Sequence, residues 1–565
     1  MNHSHARILG CAVLGVQLLL AGCAKDAVRP ALPPVHVQLI AFNDFHGHME
    51  PPTGSNGRLR VPADSGTTDV NAGGAMFLAH HIGKLRAEAP NSVVVSAGDL
   101  IGASPLISAI FHDEPTIELM NLIGLDINGV GNHEFDEGTT ELLRMQQGGC
   151  HPEDGCKTGQ TFAGAKFKFL AANVIDKGTQ KPLLPPYEIK QFEHGVKVAF
   201  IGMTLEGTGG IVNRDSVATV TFKDEVETVN ALVPELRAQG AETIVVVLHE
   251  GGLPTGLYNE CPGISGPIKA IAEGFDDAVD VVVSGHTHKA YNCVIDGKIV
   301  TSAESNGRVV TDIDLHIEPG TNRLIEARAR NLVVTRDTAT PQVDAFVKEY
   351  ARKAEPFASR VIGNTPAELK AVARPLPEGH AGQFSIGSVV ADSMLYATRA
   401  RDKGGAVIAF QNPGGVRADI NPGEITYGEA FSVQPFANNL VTLTMTGAQL
   451  EKVLEQQFYS DSKDCTRPLV MQVSEGFSYT WKASGPAGDK VDPASLRLNG
   501  APLDMNASYR VTVNNFLAGG GDCYVEFTEG KDALTGMIDL DALEAYLKQN
   551  NPLPAPRTDR ITRVP

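Results

Sequence analysis

The sequence of 565 residues is poor in positive charge, in aromatic side chains and in long apolar runs. Its 48 lysine and arginine residues stand against 66 aspartate and glutamate residues, a formal net charge of −18. This balance excludes a protein that coats a nucleic acid polymer, which needs a basic face to displace counterions. It also argues against adhesion to anionic lipid through a basic patch. A single tryptophan and 6% aromatic residues provide no stacking platform for long single strands.

The remaining composition is that of a globular protein. Hydrophobic residues make up 42% of the chain and charged residues 20%, which is not a disordered composition. At about 150 residues per domain, the length predicts two to four domains.

The N-terminus has the pattern of a targeting segment. An apolar run over residues 8–21 is too short to span a bilayer but has the length of a signal-peptide core. It ends in the letters LAGC, which resemble the lipobox of bacterial lipoproteins, where the cysteine is acylated and becomes the first residue. We therefore predict a signal peptide over residues 1–22, lipidation at Cys23 and a tether over 23–34. The mature protein would be exported and anchored at the periplasmic face of the outer membrane or at the cell surface; an ordinary cleaved signal is the alternative.

The cysteine count agrees with export. If Cys11 leaves with the signal and Cys23 carries the lipid, six of the eight cysteines remain, and an even remainder in an exported chain favours disulfides. No C-x-x-C motif is present, which excludes thioredoxin-like redox and zinc-ribbon sites. Proximity in sequence, and then elimination, favours three pairs: Cys150–Cys156, Cys261–Cys293 and Cys465–Cys523.

Five apolar segments in the first half of the chain each lead into a short polar loop. Segments and loops are Val35 to Phe42 before Asn43-Asp44-Phe45-His46, Ser92 to Ser96 before Gly98-Asp99, Leu125 to Val130 before Gly131-Asn132-His133-Glu134, Ile244 to Leu248 before His249, and Val279 to Val283 before Gly285-His286-Thr287-His288. Helical periodicity intervenes at about 75–87, 116–122 and 224–239. Alternating strands and helices predict an α/β sheet whose loops collect along one edge.

Those loops carry side chains suited to metal binding. Asp44 and His46 point to the same side of an extended chain, because side chains alternate with a period of two. Asp99 can bridge two cations, and Asn132 offers a neutral oxygen. Imidazole nitrogens come from His249, His286 and His288. Mixed nitrogen and oxygen ligands suit Zn²⁺, Mn²⁺ or a similar ion, and two such ions would clamp a phosphoryl group. We interpret other histidines, such as His112 and His151, as ordinary polar residues.

The ordered set D-x-H, G-D, G-N-H-E, H and G-H-x-H resembles the signature of calcineurin-like metallophosphoesterases. The run GNHEFD over residues 131–136, together with the second half of the chain, resembles the 5′-nucleotidase family, which includes bacterial UDP-sugar hydrolases. This resemblance covers roughly residues 34–560. It implies an α/β fold with three parts: an N-terminal metallophosphoesterase β-sandwich flanked by helices over 35–338, a connecting helix over 339–358 and a C-terminal α+β nucleotide-binding domain over 359–565. Prolines at 341 and 356 would bound the connecting helix, which we expect to be solvated.

The resemblance also implies roles for individual residues. One metal ion would be held by Asp44, His46, Asp99 and His288, and the other by Asp99, Asn132, His249 and His286. The catalytic dyad falls on His133 and Asp136. We interpret Glu134 as structural and His48 as a residue just outside the ligand set.

Three motifs in the C-terminal half resemble the substrate-binding motifs of the family. They are NPGGVR at 412–417, QPFAN at 434–438 and FLAGGGD at 516–522. By this resemblance Asn412 and Arg417 would meet the substrate, with arginine suited to a bidentate grip on phosphate. The implied nucleobase clamp consists of Phe436 and Phe516, Asp522 would accept the ribose hydroxyls, and Asn438 is the last of the substrate-binding residues. Relatives often carry further arginines just before the helix expected near residue 385, whereas the nearest arginine here is Arg374.

The resemblance therefore implies an exported phosphohydrolase with two divalent ions. It would cleave nucleoside 5′-monophosphates, and also UDP-sugars or other nucleotides, through attack by a hydroxide that bridges the ions. Two activities on the same scaffold are alternatives: a 2′,3′-cyclic-nucleotide phosphodiesterase with 3′-nucleotidase activity, and a thiosulfohydrolase. A surface lipoprotein that binds nucleotides without catalysis is the alternative outside enzymes. The oligomeric state is left open.

Overall fold

A computed structural model describes residues 32–212, 216–436, 438–459 and 468–565, apart from the side chains of residues 54 and 55. The predicted signal peptide, the lipidation site Cys23 and the cysteine Cys465 lie outside the described residues. Among the described helices, none combines the length and the apolar character that crossing a membrane requires.

Two six-stranded sheets form the N-terminal half. In spatial order the first contains Leu324–Val333, Val309–Ile317, Val35–Phe42, Ser92–Ser96, Ile127–Gly129 and Lys168–Leu170. The second contains Ala290–Ile295, Lys298–Ala303, Val279–Ser284, Thr243–His249, Lys197–Thr204 and Tyr187–Gln191. The central strands of each sheet are parallel, so their carboxyl ends meet at one edge.

Side-chain alternation packs the two sheets into a sandwich. In the strand Thr243–His249, Val245 and Val247 face the core between the sheets, whereas Ile244, Val246 and Leu248 face the outer helices. Such strands, buried on both faces, are near-continuous apolar runs. The larger helices of this half are Ala75–Glu88, Glu114–Ile123, Thr139–Gln147, Glu225–Ala238 and Pro267–Gly274, and the short ones are Leu106–Ala109 and Thr208–Ile211. Two small antiparallel pairs complete it: Arg58–Ala63 with Gly66–Asn71, and Val174–Asp176 with Val220–Phe222.

The connecting helix spans Pro341–Ala358. Proline fits its first turn, where no backbone N–H is required, but the helix continues past Pro356 instead of ending before it. Four positions on one face, Val343, Val347, Tyr350 and Ala354, are buried and belong to the apolar core of the N-terminal half. The expectation of a solvated helix is thus met on one face only.

The C-terminal half is built on a five-stranded sheet with the order Gln472–Val473, Ile408–Gln411, Ser508–Asn514, Asn439–Thr446 and Lys531–Ile538. Two apolar cores cover its faces, since Ile408 and Phe410 point into one core and Ala409 into the other. Its helices are Ser385–Thr398, Tyr427–Val433, Gly447–Glu455, Asn515–Ala518 and Asp539–Gln549. Smaller sheets join Val361–Thr365 with Gly423–Thr426, and Ala501–Pro502, Arg497–Leu498, Phe477–Lys482 and Ile561–Val564. The structure therefore has the predicted α/β sandwich, connecting helix and α+β half.

Candidate dinuclear metal centre and substrate cleft

The predicted ligands lie where parallel strands of both sheets end. Asp44 follows the strand Val35–Phe42 and Asp99 follows Ser92–Ser96 in the first sheet, while His249 is the last residue of Thr243–His249 in the second. The structure therefore brings together Asp44 and His249, which the sequence separates by 205 positions.

Asp44, His46, Asp99 and His288 form one candidate site, in which the ligand atoms all lie within 4.8 Å of one another. Nε2 of His46 is 3.0 Å from Nε2 of His288 and 3.7 Å from Oδ2 of Asp99. Nε2 of His288 is 3.2 Å from Oδ1 of Asp44. Two imidazole nitrogens that face each other at this distance need a shared proton or a cation between them.

Asp99, His249 and His286 form a second candidate site with the same spacing. Oδ2 of Asp99 is 3.0 Å from Nε2 of His249, and Oδ1 of Asn132 is 3.0 Å from Nδ1 of His286. Asp99 belongs to both groups, which is the position a bridging carboxylate requires.

The hydrogen bonds of the histidines fit metal binding. Nδ1 of His46 donates to the carbonyl of Gly102 at 2.9 Å, and Nδ1 of His249 donates to the carbonyl of Ala97 at 2.6 Å. Each bond places a proton on Nδ1 and turns Nε2 towards the ligand cluster, as carbonyl groups behind metal-bound histidines commonly do.

Electrostatics leads to the same interpretation. Burial opposes a charge on His249, yet the carboxylates of Asp99 and Asp44 raise its pKa to about 10. A proton on this imidazole partly neutralises two buried carboxylates. A divalent cation would supply the same compensation and displace that proton.

The loops reach this geometry through left-handed backbone conformations. Positive φ angles occur at Asp44 (50°), His46 (47°), Asp99 (48°), His286 (69°) and His288 (52°), which are uncommon for residues other than glycine and cluster at functional sites. Glycine at 131 permits close approach, because a Cβ there would lie 2.3 Å from Oδ1 of Asp99.

Glu134 links the loop that contains Asp99 to the loop that contains Gly131 through hydrogen bonds. Its carboxylate accepts the backbone N–H groups of Asp99 at 3.0 Å, Leu100 at 2.9 Å and Gly131 at 2.7 Å. The side chain amide of Asn128 adds a fourth donor at 3.2 Å. Glu134 is therefore a positioning residue for Asp99, which agrees with its interpretation as structural.

His133 and Asp136, the predicted dyad, are in contact. Nδ1 of His133 is 2.8 Å from Oδ2 of Asp136, and the His133 ring lies 5.2 Å from the ring of His46. Burial disfavours the charged imidazole, but the carboxylates of Asp136 and Asp99 outweigh it and raise the pKa of His133. The backbone N–H of His133 also donates to Oδ1 of Asp99 at 2.9 Å.

One cleft of about 1800 Å³ connects these residues with the C-terminal half. Its lining includes the predicted substrate-binding residues Asn412, Arg417, Phe436, Asn438, Phe516 and Asp522. The ring of Phe436 is stacked on that of His133 at 5.6 Å, and the Arg417 guanidinium lies 5.8 Å from the Phe436 centroid. Asn438 also hydrogen-bonds the buried Asp539. Contact between Phe436 and His133 was not foreseen from the sequence.

Arg374 is the residue that sequence reasoning placed too far away. It lines the cleft. The pKa of the Arg417 guanidinium is lowered to about 10, mainly by burial and in part by the nearby charge of Arg374. Burial also lowers the pKa of Arg374 itself, and the carboxylate of Asp522 opposes that effect. Arg374 lies in the irregular segment before residue 385, and no periodic pattern in the sequence predicts the path of that segment.

Two other histidines do not form a comparable site. His112 and His151 lie near Glu137, but their rings are stacked at 3.8 Å with an angle of 2° between planes. Lone pairs of parallel rings do not converge on one ion. His112 instead contacts Glu137 at 2.9 Å and Asp154 at 2.8 Å. His48 lines the cleft and contacts the carbonyl of His46 at 3.0 Å.

The cysteine predictions are met in part by the described residues. Disulfides join Cys150 to Cys156 and Cys261 to Cys293. The third predicted pair involves Cys465, which lies outside the described residues.

Comparisons with known proteins agree with this arrangement. Residues 38–290 match the calcineurin-like phosphoesterase family, and residues 361–529 match the 5′-nucleotidase C-terminal domain. Endonuclease YhcR of Bacillus subtilis (strain 168) is 32% identical over 94% of this chain, which spans 41% of that protein. A 5′-nucleotidase of Vibrio vulnificus is 26% identical, with 83% of this chain and 84% of the relative covered. The crystal structure of a 5′-nucleotidase precursor from Thermus thermophilus has a TM-score of 0.73 at 26% identity and covers 94% of this chain and 99% of its own.

Fold, ligand cluster and family matches together define a metal-dependent phosphoester hydrolase. More narrowly, the chain belongs to the 5′-nucleotidase family, which joins a calcineurin-like phosphoesterase domain to a 5′-nucleotidase C-terminal domain. The predicted fold class and family are confirmed.

Replacement of Glu134 tests how the loops are held. Glu134→Gln keeps the shape but puts an NH₂ group opposite backbone N–H donors, so a buried donor loses its acceptor at a cost of roughly 1–3 kcal/mol. We expect urea unfolding to show a loss of that size together with reduced phosphatase activity. Glu88→Gln, at an exposed helix end, is the control and should leave both unchanged. Wild-type stability of Glu134→Gln would contradict the positioning role.

Proposed function

We propose that the protein hydrolyses nucleoside 5′-monophosphates to nucleoside and phosphate outside the cytoplasm, with two divalent cations. The observation that carries this proposal is that one cleft is lined by members of the metal-ligand cluster, by Arg374 and Arg417, and by Phe436 and Phe516. The first two groups suit a phosphate, and the third suits a nucleobase.

Arg374 and Arg417 would bind the phosphate. Burial and the nearby Arg374 both disfavour the charge on Arg417, so this guanidinium gains an electrostatic partner when a dianionic phosphate enters. The planar donors of arginine match phosphate oxygens in a bidentate manner. Arg374 would be the second positively charged side chain at the phosphate, a role for which the sequence alone offered no arginine nearer to residue 385.

The cations would be held by Asp44, His46, Asp99 and His288 on one side and by Asp99, Asn132, His249 and His286 on the other. Imidazole, amide and carboxylate ligands suit Zn²⁺, Mn²⁺ or a related first-row ion. When bound, such a pair supplies Lewis-acid stabilisation of phosphoryl oxygens and acidifies water.

His133 would stabilise charge that develops on the phosphate. The contact with Asp136 orients the ring and favours the imidazolium, which is a donor aimed at the reacting group. Because the ring is not needed to complete either ligand group, its contribution can be separated from metal binding.

The nucleoside would lie between Phe436 and Phe516, with its ribose at Asp522. Both rings line the cleft, and base–aromatic stacking contributes roughly 1–3 kcal/mol per base. The stacking of Phe436 on His133 supports a path from the base site to the reacting phosphate.

Export and lipid anchoring form a separate part of the proposal. The apolar run over residues 8–21 and the lipobox-like letters ending at Cys23 support it. Disulfides in the first half of the chain support an oxidising compartment.

Metal binding and catalysis should separate in a pair of variants. His133→Ala retains the backbone N–H that holds Asp99, so it should keep both metals and lose on the order of 10²–10³ in kcat. Asp99→Ala should lose turnover and metal from both sites, because one carboxylate serves both. The measurements are metal content by mass spectrometry and kcat on adenosine 5′-monophosphate, with circular dichroism to check folding. His133→Ala activity within about threefold of the parent would disprove the dyad.

Phe516 offers the cleaner test of the base site, because Phe436 also touches the dyad. Phe516→Ala should raise KM for a nucleoside 5′-monophosphate by roughly 5- to 150-fold, the equivalent of one lost stacking contact. Turnover of p-nitrophenyl phosphate, which lacks a nucleobase, should be largely retained.

Phe458→Ala is the matched control for that experiment. Phe458 is also a partly buried member of the same apolar cluster, but it lies outside the cleft lining. It should leave the ratio between the two substrates unchanged. Equal losses on both substrates in Phe516→Ala would make Phe516 a packing residue and remove the main support for a nucleotide substrate in this half.

The lipid anchor is tested by Cys23→Ala. The variant should move from the membrane pellet to the soluble exported fraction and should not incorporate labelled palmitate. Cys11→Ala, within the signal core, should remain membrane-bound. A Cys23→Ala protein that stays in the pellet would contradict the anchor.

A further inference from the structure

Besides Phe436, the proposed nucleoside site takes residues from three segments of the C-terminal half. Asn412 follows the strand Ile408–Gln411, Phe516 lies on the short helix Asn515–Ala518, and Asp522 follows that helix. A binding site made of residues from separate segments requires contacts that fix the distances between them.

Asn514 contacts two of these segments directly. This side chain is 1% exposed and lies at the end of the central strand Ser508–Asn514. Its Oδ1 accepts the backbone N–H of Leu517 at 2.8 Å and thereby caps the helix that carries Phe516. Its Nδ2 donates to Oδ1 of Asn412 at 3.0 Å.

Asn412 in turn forms a hydrogen bond with the third segment. Its Nδ2 donates to Oδ2 of Asp522 at 2.9 Å. Since Oδ1 of Asn412 accepts from Asn514, the orientation of the Asn412 amide is defined, and its NH₂ group must face Asp522. Asp522 has a left-handed backbone conformation with φ 51°, so this hydrogen bond holds its carboxylate in a conformation that is costly for a residue other than glycine.

A second contact brings Phe516 and Asp522 together. A Cβ on Gly521 would lie 2.5 Å from the ring of Phe516, so the ring packs directly on the peptide that precedes Asp522. The aromatic face and the carboxylate are thus parts of one unit.

We propose that Asn514 is a positioning residue that sets the spacing between the nucleobase platform at Phe516 and the ribose acceptor at Asp522, and thereby confers preference for ribonucleotides. This inference rests on the proposed 5′-nucleotidase function. Asn514 itself does not need to touch the substrate, because it acts through the cap and through Asn412. Buried networks of this kind define one geometry only when every member is satisfied.

The test is Asn514→Asp, which is nearly isosteric. Aspartate retains the helix cap, so Phe516 stays in place, but it has no N–H for Oδ1 of Asn412. Two facing oxygens then displace the Asn412 amide and release Asp522. Adenosine 5′-monophosphate, its 2′,3′-dideoxy analogue and p-nitrophenyl phosphate are compared as substrates.

The wild type should favour adenosine 5′-monophosphate over the dideoxy analogue. In Asn514→Asp the KM for adenosine 5′-monophosphate should rise on the order of 10-fold, and the preference over the analogue should largely disappear. The kcat values and the p-nitrophenyl phosphate activity should stay within about threefold of the parent.

Asn230→Asp is the matched control. Asn230 also accepts one backbone N–H, from Asp276 at 2.7 Å, and donates to one carbonyl, that of Gly274 at 2.9 Å, but it lies in the N-terminal half away from the cleft lining. It should show any general cost of the substitution without a change in substrate preference. Asn514→Ser retains a cap and provides a second variant if the aspartate protein does not fold.

The outcomes are distinguishable. A folded Asn514→Asp protein with the wild-type preference for the ribose hydroxyls overturns the role of Asn514, and so does an equal loss on all three substrates. A wild-type protein that does not hydrolyse adenosine 5′-monophosphate, or that treats the dideoxy analogue equally, overturns instead the function on which the inference rests.

Discussion

Two carboxylates, Asp44 and Asp99, are buried at the carboxyl ends of neighbouring parallel strands, and the rest of the site is organised around their charge. A buried carboxylate is costly unless it is paired. Here the compensation comes from His249, the last residue of a strand in the second sheet, when its imidazole is protonated, while His286 and His288 bring neutral imidazoles to the same place. The sandwich is therefore more than a scaffold, because only the packing of one sheet on the other brings those histidines to the carboxylates.

The same requirement explains the unusual backbone. Side chains as short as aspartate can reach a common point only if the chain turns sharply at the strand end, which accounts for the left-handed residues at Asp44 and Asp99. Glu134 then collects the N–H groups that such turns leave without secondary-structure partners. The left-handed backbone at the strand ends, the burial of the two aspartates and the hydrogen bonds of Glu134 therefore all serve to place the carboxylates of Asp44 and Asp99.

The C-terminal half contributes the opposite charge. Arg374 and Arg417 line the same cleft as the candidate metal ligands, and burial together with the proximity of Arg374 disfavours the charge on Arg417 until an anion enters. With Phe436 stacked on His133, the two halves meet at the dyad. The residues proposed to bind the substrate and the residues proposed to catalyse its hydrolysis are thus close in space although they are far apart in the sequence.

Patterns with short range could be predicted well from the sequence. The strand Val35–Phe42 has the expected bounds, because its apolar residues continue until the polar loop begins. The helix expected over 116–122 starts earlier, at Glu114, since a proline in the first turn is compatible with a helix start. The strand expected from Leu125 to Val130 shrinks to Ile127–Gly129, because hydrogen bonding to neighbours, and not apolar character, determines where a strand ends.

The sequence by itself determined the order of the ligand loops, the family and the motifs, because each depends on residue types at fixed local spacing. Only the tertiary structure decided that Arg374 enters the cleft, that Phe436 touches His133 and that Asn514 connects the segments of the nucleoside site. These contacts depend on the paths of irregular loops and on packing between distant segments. Such paths result from the sum of many weak interactions across the whole fold, and no local pattern in the chain records that sum.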